Sequence, residues 1–383
     1  MAENLFSPAW NDLDPGDLRF ILHERIGRPG QYNDRARNPY TFYLPLADST
    51  CRVKLTFSKK KRIVAIEPGP AFDRAEWTSI VADIEKCGPP KIGRDFSFSS
   101  FRVSGTWRGK QSGVQILPPP ADAPCAPCEM AEHPFILEFP IIESSLWAIT
   151  NHRRMAEHRK LTLLLNILLG GTTTIQPRRA RHFWACVRGD EGQFGDLKWV
   201  QEFFISNFGN VVADELSPAV ADPMIEVDPT TYYTTIGHDG RHLQVPSDLD
   251  DSLCCYSRLT PENRAKFSRA GFWMSMASRQ WTLSLSAAFA SLVIAIETLA
   301  DKSERPTERF RNFIEKHAPG AALECRRNEM YALRSDILHG DSLIEMDQDA
   351  DFGWAPPEQN DKDLLGELWG LTRIALRSWL RNP

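Results

Sequence analysis

The sequence predicts an α+β chain, with a strand-rich mixed N-terminal region followed by an all-α C-terminal bundle. Three observations predict it. Short runs rich in β-branched and aromatic residues recur through roughly the first 140 residues. A proline-dense stretch then interrupts them. From about residue 260 onward apolar residues recur at helical spacing, with no strand pattern among them. With 383 residues, 42% of them hydrophobic and 25% charged, the chain has the composition of an ordinary globular protein and room for roughly two or three units. The expected divisions are a mixed strand-rich domain over 1–143, a helix-plus-hairpin middle region over 144–244 that can be continuous with it, and a helical domain over 245–383.

Taken in order, RVKLTFSKKKRIVAI (52–66) reads as two β arms around the polar turn at Ser58–Lys61. Trp77, Ile80, Val81 and Ile84 recur at helical spacing and predict a helix over Asp73–Lys86. FSFSSFRVSGTW (96–107), VQIL (114–117) and FILEFP (135–140) have strand character. Between the last two, LPPPADAPCAPCEM (117–130) holds five prolines and is expected to be a linker or surface loop. A long helix is predicted from about Ser144 to Leu169, ended by Gly170-Gly171. YYTTIGHDGRHLQV (232–245) reads as a hairpin with Asp239-Gly240 at its turn. Thr260-Pro261 supplies an N-cap followed by proline at the first helical position, opening a helix to about Gln280. Further helices are expected over 281–300, 309–317, 321–338 and 364–380.

Bulk properties exclude several classes. A formal net charge of −5 gives no general attraction to nucleic acid, so any such contact needs a local patch. Two basic stretches are candidates for nucleic-acid contacts: Arg153, Arg154, Arg159 and Lys160, then Arg178, Arg179 and Arg181. A charge run on a helix is more often just its solvated face. The N-terminus lacks a signal pattern, and the longest apolar run, Leu161–Leu169, is broken by Thr162 and Asn166. No membrane association and a cytoplasmic location are therefore expected, and the eight scattered cysteines read as reduced thiols.

Most motif-like strings fail on chemistry. CAPC (125–128) lacks a second pair of zinc ligands at supporting spacing, so no metal site and no cofactor are expected. GTWRGKQS (105–112) has three residues between its glycines and Gln after the lysine, so it misses the requirements of a phosphate loop. His238, Asp239 and His242 surround a turn whose Asp-Gly suits turn geometry. EMDQDAD (345–351) lacks the glycine and closing glutamate of a calcium loop. Residues 341–363 carry eight acids and one lysine, as a solvated loop does.

YALRSDILHG (331–340) is different. Arg334 and His339 stand five positions apart, and Gly340 falls where a helix C′ residue belongs. On a regular helix five residues turn through about 500°, so the two side chains diverge by roughly 140°. One site can use both only if the helix ends there or a second chain completes it. Arginine offers a fixed fork of donors to phosphate. Histidine exchanges protons near neutral pH and can take one from a ribose 2′-OH or give one to a leaving oxygen. RNA cleavage through its own 2′-OH needs no metal. Without chemistry, an arginine paired with a nearby acid and a histidine capping a helix account for the same residues.

The segment resembles the C-terminal motif of the HEPN superfamily, and within it the Apea-like branch, through Tyr331, Arg334, Ser335, His339 and Gly340. The likeness extends to VPSDLDDSLCCYSRLTPENRAKFSRAGFW (245–273) and to SLSAAFASLVIAIETLA (284–300), with its Ala-Ile-Glu-x-Leu pattern around Glu297. It covers roughly 245–383. The resemblance implies a helical bundle that forms a homodimer, with both protomers' motifs lining one cleft, and a metal-independent endoribonuclease acting on RNA. It implies catalytic roles for Arg334 and His339 and supporting ones for Ser335, Tyr331 and Glu297. Ser335 departs from the Asn, Asp or His of many members. The expected role is a toxin-like or anti-phage effector, with the N-terminal region sensing an unknown trigger. The alternative is a non-catalytic dimerisation or RNA-binding module.

Overall fold

The computed structural model describes residues 4–7, 41–45, 52–59, 63–68, 74–85, 88–119, 133–144, 147–174, 182–186, 197–201, 211–219, 222–234, 242–281, 283–301, 305–319, 324–344 and 356–383, with Leu18, Leu22 and Asp347. They form a mixed α+β chain, as expected, divided into two compact units. The first comprises Met1–Gly93, Pro140–Glu157 and Val212–Glu215; the second comprises Arg94–Phe139, His158–Val211 and Leu216–Pro383.

In the first unit β1 (Thr41–Pro45), β2 (Arg52–Phe57) and β3 (Ile63–Glu67) form an antiparallel sheet in that order. β2 and β3 are the two arms expected over 52–66. Helix α1 (Arg74–Glu85) follows, also as expected. Leu55 pairs with Ile66 and Phe57 with Ile63, and the β-bulge between them breaks strict alternation, so Leu55, Ile63 and Ile66 share one face, buried in a cluster with Trp77 and Ile80 of α1 and with Ile149. Asn4 ties the N-terminal segment to this sheet by accepting from the Ile66 N–H at 3.0 Å.

Strand β4 (Pro90–Ser99) starts in the first unit and ends in the second. It belongs to a sheet with β5 (Trp107–Arg108), β6 (Gln115–Leu117) and β7 (His133–Ile142). Next come helix α2 (Trp147–Leu168) and strands β8 (Thr173–Thr174), β9 (His182–Cys186), β10 (Leu197–Gln201) and β11 (Val212–Ala213). The sheet order is β11-β4-β7-β6-β5, with β8 also on β4, while β9 and β10 pair separately. Glu138 is fully buried within the second unit. Arg94 Nε at 2.5 Å, Gln115 at 3.1 Å and the Ser217 N–H and hydroxyl at 2.9 and 2.6 Å satisfy its carboxylate. Such a charge is tolerated inside because every oxygen has a partner.

One expected element is corrected. Tyr232–Thr234 are not a hairpin strand but the end of a short helix, α3 (Pro229–Thr234). Asp228 accepts from the Thr230 N–H at 2.9 Å and Pro229 takes the first helical position, so the start signals outweigh the β-like YYTT. Flanking it, β12 (Glu226–Val227) and β13 (Val245–Pro246) pair in parallel. The Asp239-Gly240 turn lies outside the described residues, as does most of the 117–130 linker.

The helical part contains α4 (Leu249–Arg258), α5 (Pro261–Gln280), α6 (Leu285–Leu299), α7 (Pro306–His317), α8 (Glu324–His339) and α9 (Pro356–Arg381). No strand occurs beyond β13 among the described residues. Thr260 caps α5 as its sequence predicts, accepting from the Asn263 N–H at 3.2 Å. Helix α6 is buried on most faces, from Ala288 and Phe289 through Leu292, Val293, Ala295 and Ile296. Helix α9 begins at Pro356, two turns before the expected Leu364, because Pro356-Pro357 carry the fixed φ that suits a first turn. Among the described residues no helix is long and apolar enough to cross a membrane.

Two helices end in the same way. After α2, the Gly171 N–H reaches the Asn166 carbonyl and the Gly170 N–H reaches that of Ile167, with φ of +86° and +69°. After α8, the Asp341 N–H reaches the Asp336 carbonyl at 2.9 Å and the Gly340 N–H reaches that of Ile337 at 3.3 Å, with Gly340 at φ +80°. Both are Schellman closures. At the first, the Arg373 guanidinium occupies the space a Gly170 side chain needs, placing positive charge at the negative end of α2.

Candidate functional site

Three helices of the second unit converge on one carboxylate. Glu297 stands in the last turn of α6, Arg309 in the first turns of α7, and Tyr331 and Arg334 one turn apart on α8. Packing fixes these positions. Phe310, next to Arg309, is fully buried and lies 5.6 Å from the Tyr331 ring, while Met330 anchors α8.

Glu297 accepts from Arg334 Nη2 at 2.8 Å and from the Tyr331 hydroxyl at 3.4 Å. Arg309 approaches Oε1, the oxygen that accepts from Tyr331, at 3.8 Å, which is an ion pair too long to be a hydrogen bond. Side-chain exposure is 11% for Glu297, 20% for Arg334 and 18% for Arg309. The Arg334 guanidinium also stands 5.5 Å from the centre of the Tyr331 ring. Burial pushes the Tyr331 phenol up in pKa and the Glu297 charge adds to this, so it stays protonated and donates.

Arg334 is therefore oriented and its donors are not exhausted. Its Nε is buried without a partner, and Nη1 makes no hydrogen bond among the described residues. His339 is the last residue of α8, exposed, with no hydrogen bond or ion pair among the described residues. Ser335 is half-buried and makes no side-chain hydrogen bond among them. The helix stays regular through His339, so the divergence of roughly 140° between Arg334 and His339 persists. Within one chain the two groups leave α8 on different faces.

Between Ile344 and Pro356 the acidic run after the motif has one described residue, Asp347, and its charge is engaged elsewhere. Asp347 accepts from the N–H groups of Leu285 and Ser286 at 3.1 and 2.7 Å and from the Ser284 hydroxyl at 2.8 Å. Ser284 in turn accepts from the Ala287 N–H at 3.1 Å, so the free N–H groups opening α6 are satisfied. Burial raises the Asp347 pKa, but the hydrogen bonds from Ser286, Ser284 and Leu285 outweigh it and hold the carboxyl below its ordinary range.

The proposed basic contacts are less uniform than their spacing suggested. In the first unit Arg153 donates to the Ile142 carbonyl at 3.2 Å, and Arg154 is buried against Asn151. In the second unit Arg159 is exposed, and Lys160 lies 6.0 Å from the Tyr256 ring. Arg154 is thus unsuited to contact a nucleic acid, because its guanidinium faces the protein. Arg178, Arg179, Arg181, His238, Asp239, Cys125 and Cys128 lie outside the described residues.

Two arrangements carry no sequence signal. Ser97 stands 2.8 Å from His158 Nε2 and 3.0 Å from the Thr162 hydroxyl, and Asp95 is 3.6 Å from His158 Nδ1. The order resembles a hydrolytic triad, but Ser97 is fully buried and its oxygen is shared with Thr162, as in a polar core network. The second is the pairing of Arg309 with Glu297, across a separation no local spacing could disclose. Comparison with family models, with curated proteins and with solved structures finds no match to this chain.

Proposed function

We propose that the chain is an endoribonuclease of HEPN type, working as a homodimer in which Arg334 and His339 of both protomers form one composite site. The observation that carries this reading is the state of the two side chains. Arg334 is held in place with donors to spare, and His339 is exposed and uncommitted at a firmly closed helix end.

The chemistry follows from the groups. A base takes the proton of a ribose 2′-OH, and the oxygen attacks the adjacent phosphorus. The bond to the 5′-oxygen breaks as an acid protonates it, leaving a 2′,3′-cyclic phosphate and a 5′-hydroxyl. The nucleophile belongs to the substrate, so no metal has to generate it. In-line displacement needs a base and an acid on opposite sides of phosphorus. One chain offers one His339; a dimer offers two, which fits the divergence of Arg334 and His339 along α8. Arg334 neutralises charge gathering on the phosphoryl oxygens. The N-terminal region then serves as sensor or restraint in a toxin-like or anti-phage effector.

A non-catalytic helical module is the second reading, and the Arg334–Glu297 ion pair favours it, since a purely structural arginine makes the same contact. Purified wild type, His339→Ala and Arg334→Ala decide between them when incubated with RNA in EDTA. The nuclease reading expects cleavage to fall at least about 100-fold in both variants, the scale of a lost general acid–base group. Equal products from all three, in cleavage assays and in growth inhibition on expression, would sink it.

A further inference from the structure

We propose that Arg309 is the second guanidinium of a phosphodiester-binding pair with Arg334, with Glu297 as the internal carboxylate that spaces and aligns the two. This deepens the nuclease reading and rests on it. Glu297 stands between two cations from different helices, so the cluster carries a net charge of about +1 before any ligand arrives. A phosphodiester monoanion brings it to neutrality.

The hydrogen-bond inventory points the same way. Two guanidiniums offer about ten N–H donors. Among the described residues only Arg334 Nη2 has an acceptor within hydrogen-bond distance. Both Nε atoms are buried and unpartnered. Among the described residues the terminal nitrogens of Arg309 and Nη1 of Arg334 make no hydrogen bond, and unlike the two Nε atoms they are not among the buried unsatisfied atoms. Carboxylate oxygens are already supplied by Glu297; what the cluster lacks is an oxyanion facing the terminal nitrogens. A phosphate, with several oxygens about a central atom, suits two forks approaching from α7 and α8 better than a second carboxylate does. The backbone that carries Arg309 is fixed on α7 because Phe310 beside it is buried against Tyr331.

The test uses the full chain with His339→Ala as a cleavage-dead background. Affinity for a short single-stranded RNA is measured by fluorescence anisotropy across a salt series, with and without Arg309→Ala or Arg309→Lys. Thermal unfolding confirms that each variant folds. Arg309→Ala is expected to weaken binding about tenfold and to reduce the dependence of log affinity on log salt by about 0.7, the single-strand value for one lost phosphate contact. Arg309→Lys, which keeps the charge, is expected to recover the salt dependence but not the full affinity. In the His339-intact protein, Arg309→Ala is expected to lower kcat/KM for RNA by a similar factor. Unchanged RNA affinity and salt dependence in Arg309→Ala, with His339→Ala still inactive, overturns this inference and leaves the nuclease reading standing. Full RNA cleavage by His339→Ala overturns both. If Arg309→Ala abolishes stabilisation by inorganic phosphate yet leaves RNA affinity intact, the site takes free phosphate and the inference is equally overturned.

Discussion

His339 owes its position to the residue after it. Gly340 adopts φ +80°, and a Cβ built there meets nothing within 4 Å. Space is therefore irrelevant, and the left-handed backbone alone favours glycine. Gly340→Ala is expected to lower stability by about 1 kcal/mol, the usual cost of that conformation for an L side chain. Chemical denaturation measures it. An unchanged midpoint would mean that the Schellman closure does not hold the end of α8. If RNA cleavage falls by more than the loss of folded protein explains, the cap also orients His339. Arg334 is fixed by a different device, a carboxylate on another helix, so these neighbouring residues have independent supports.

At the scale of elements, the loop 105–113 shows a backbone anion nest filled by the protein's own carboxylate. Asp250, in the first turn of α4, accepts from the N–H groups of Gln111 and Ser112 at 2.9 and 3.0 Å. A Cβ at Gly109 would fall 2.5 Å from an Asp250 oxygen, so a side chain there would displace the carboxylate from the nest. Burial raises the Asp250 pKa, but hydrogen bonds from the Ser112 hydroxyl and from the Gln111, Ser112 and Lys110 N–H groups outweigh it and hold the carboxyl below its ordinary value. A carboxyl depressed on folding stabilises the native state above its unfolded pKa, and that stabilisation is lost as pH falls through the folded value. Asp250→Asn is thus expected to cost about 1 kcal/mol at pH 7, with the difference from wild type shrinking below pH ~4. A difference that stays constant to pH 3 in denaturation curves would contradict the clasp. The Thr260-Pro261 helix start was legible because its cause is local. The Asp250 clasp was not, since its partners lie 138 and 139 residues away. Tyr232–Thr234 read as a strand because a run of tyrosines and threonines has high β propensity, while Asp228 and Pro229 just upstream start a helix. In the candidate site, Arg334 and His339 could be read from one short string. Arg309 could not, because it becomes relevant only once α6, α7 and α8 pack around Glu297.

At the scale of the whole molecule, the proposed chemistry depends on a second copy. Helix α8 keeps its regular turn through His339, so one chain cannot aim Arg334 and His339 at one phosphate from the same helix face. Beside the motif Leu338 is 49% exposed and Leu343 is 42% exposed, apolar surface adjacent to the exposed histidine. A composite site makes specific activity a function of protein concentration. Below the dimer dissociation constant, the paired fraction and the activity per chain both fall about tenfold for each tenfold dilution, by mass action. Leu338→Asp introduces like charges wherever two such surfaces meet, and is expected to raise the dissociation constant by at least tenfold while leaving the thermal unfolding of the isolated chain unchanged. Sedimentation velocity and RNA cleavage over a shared concentration series measure both effects. Their midpoints are expected to coincide in wild type and to shift together in Leu338→Asp. Constant activity per chain in a sample that sedimentation shows to be monomeric would place Arg334 and His339 in a single-chain site and remove the need for a partner.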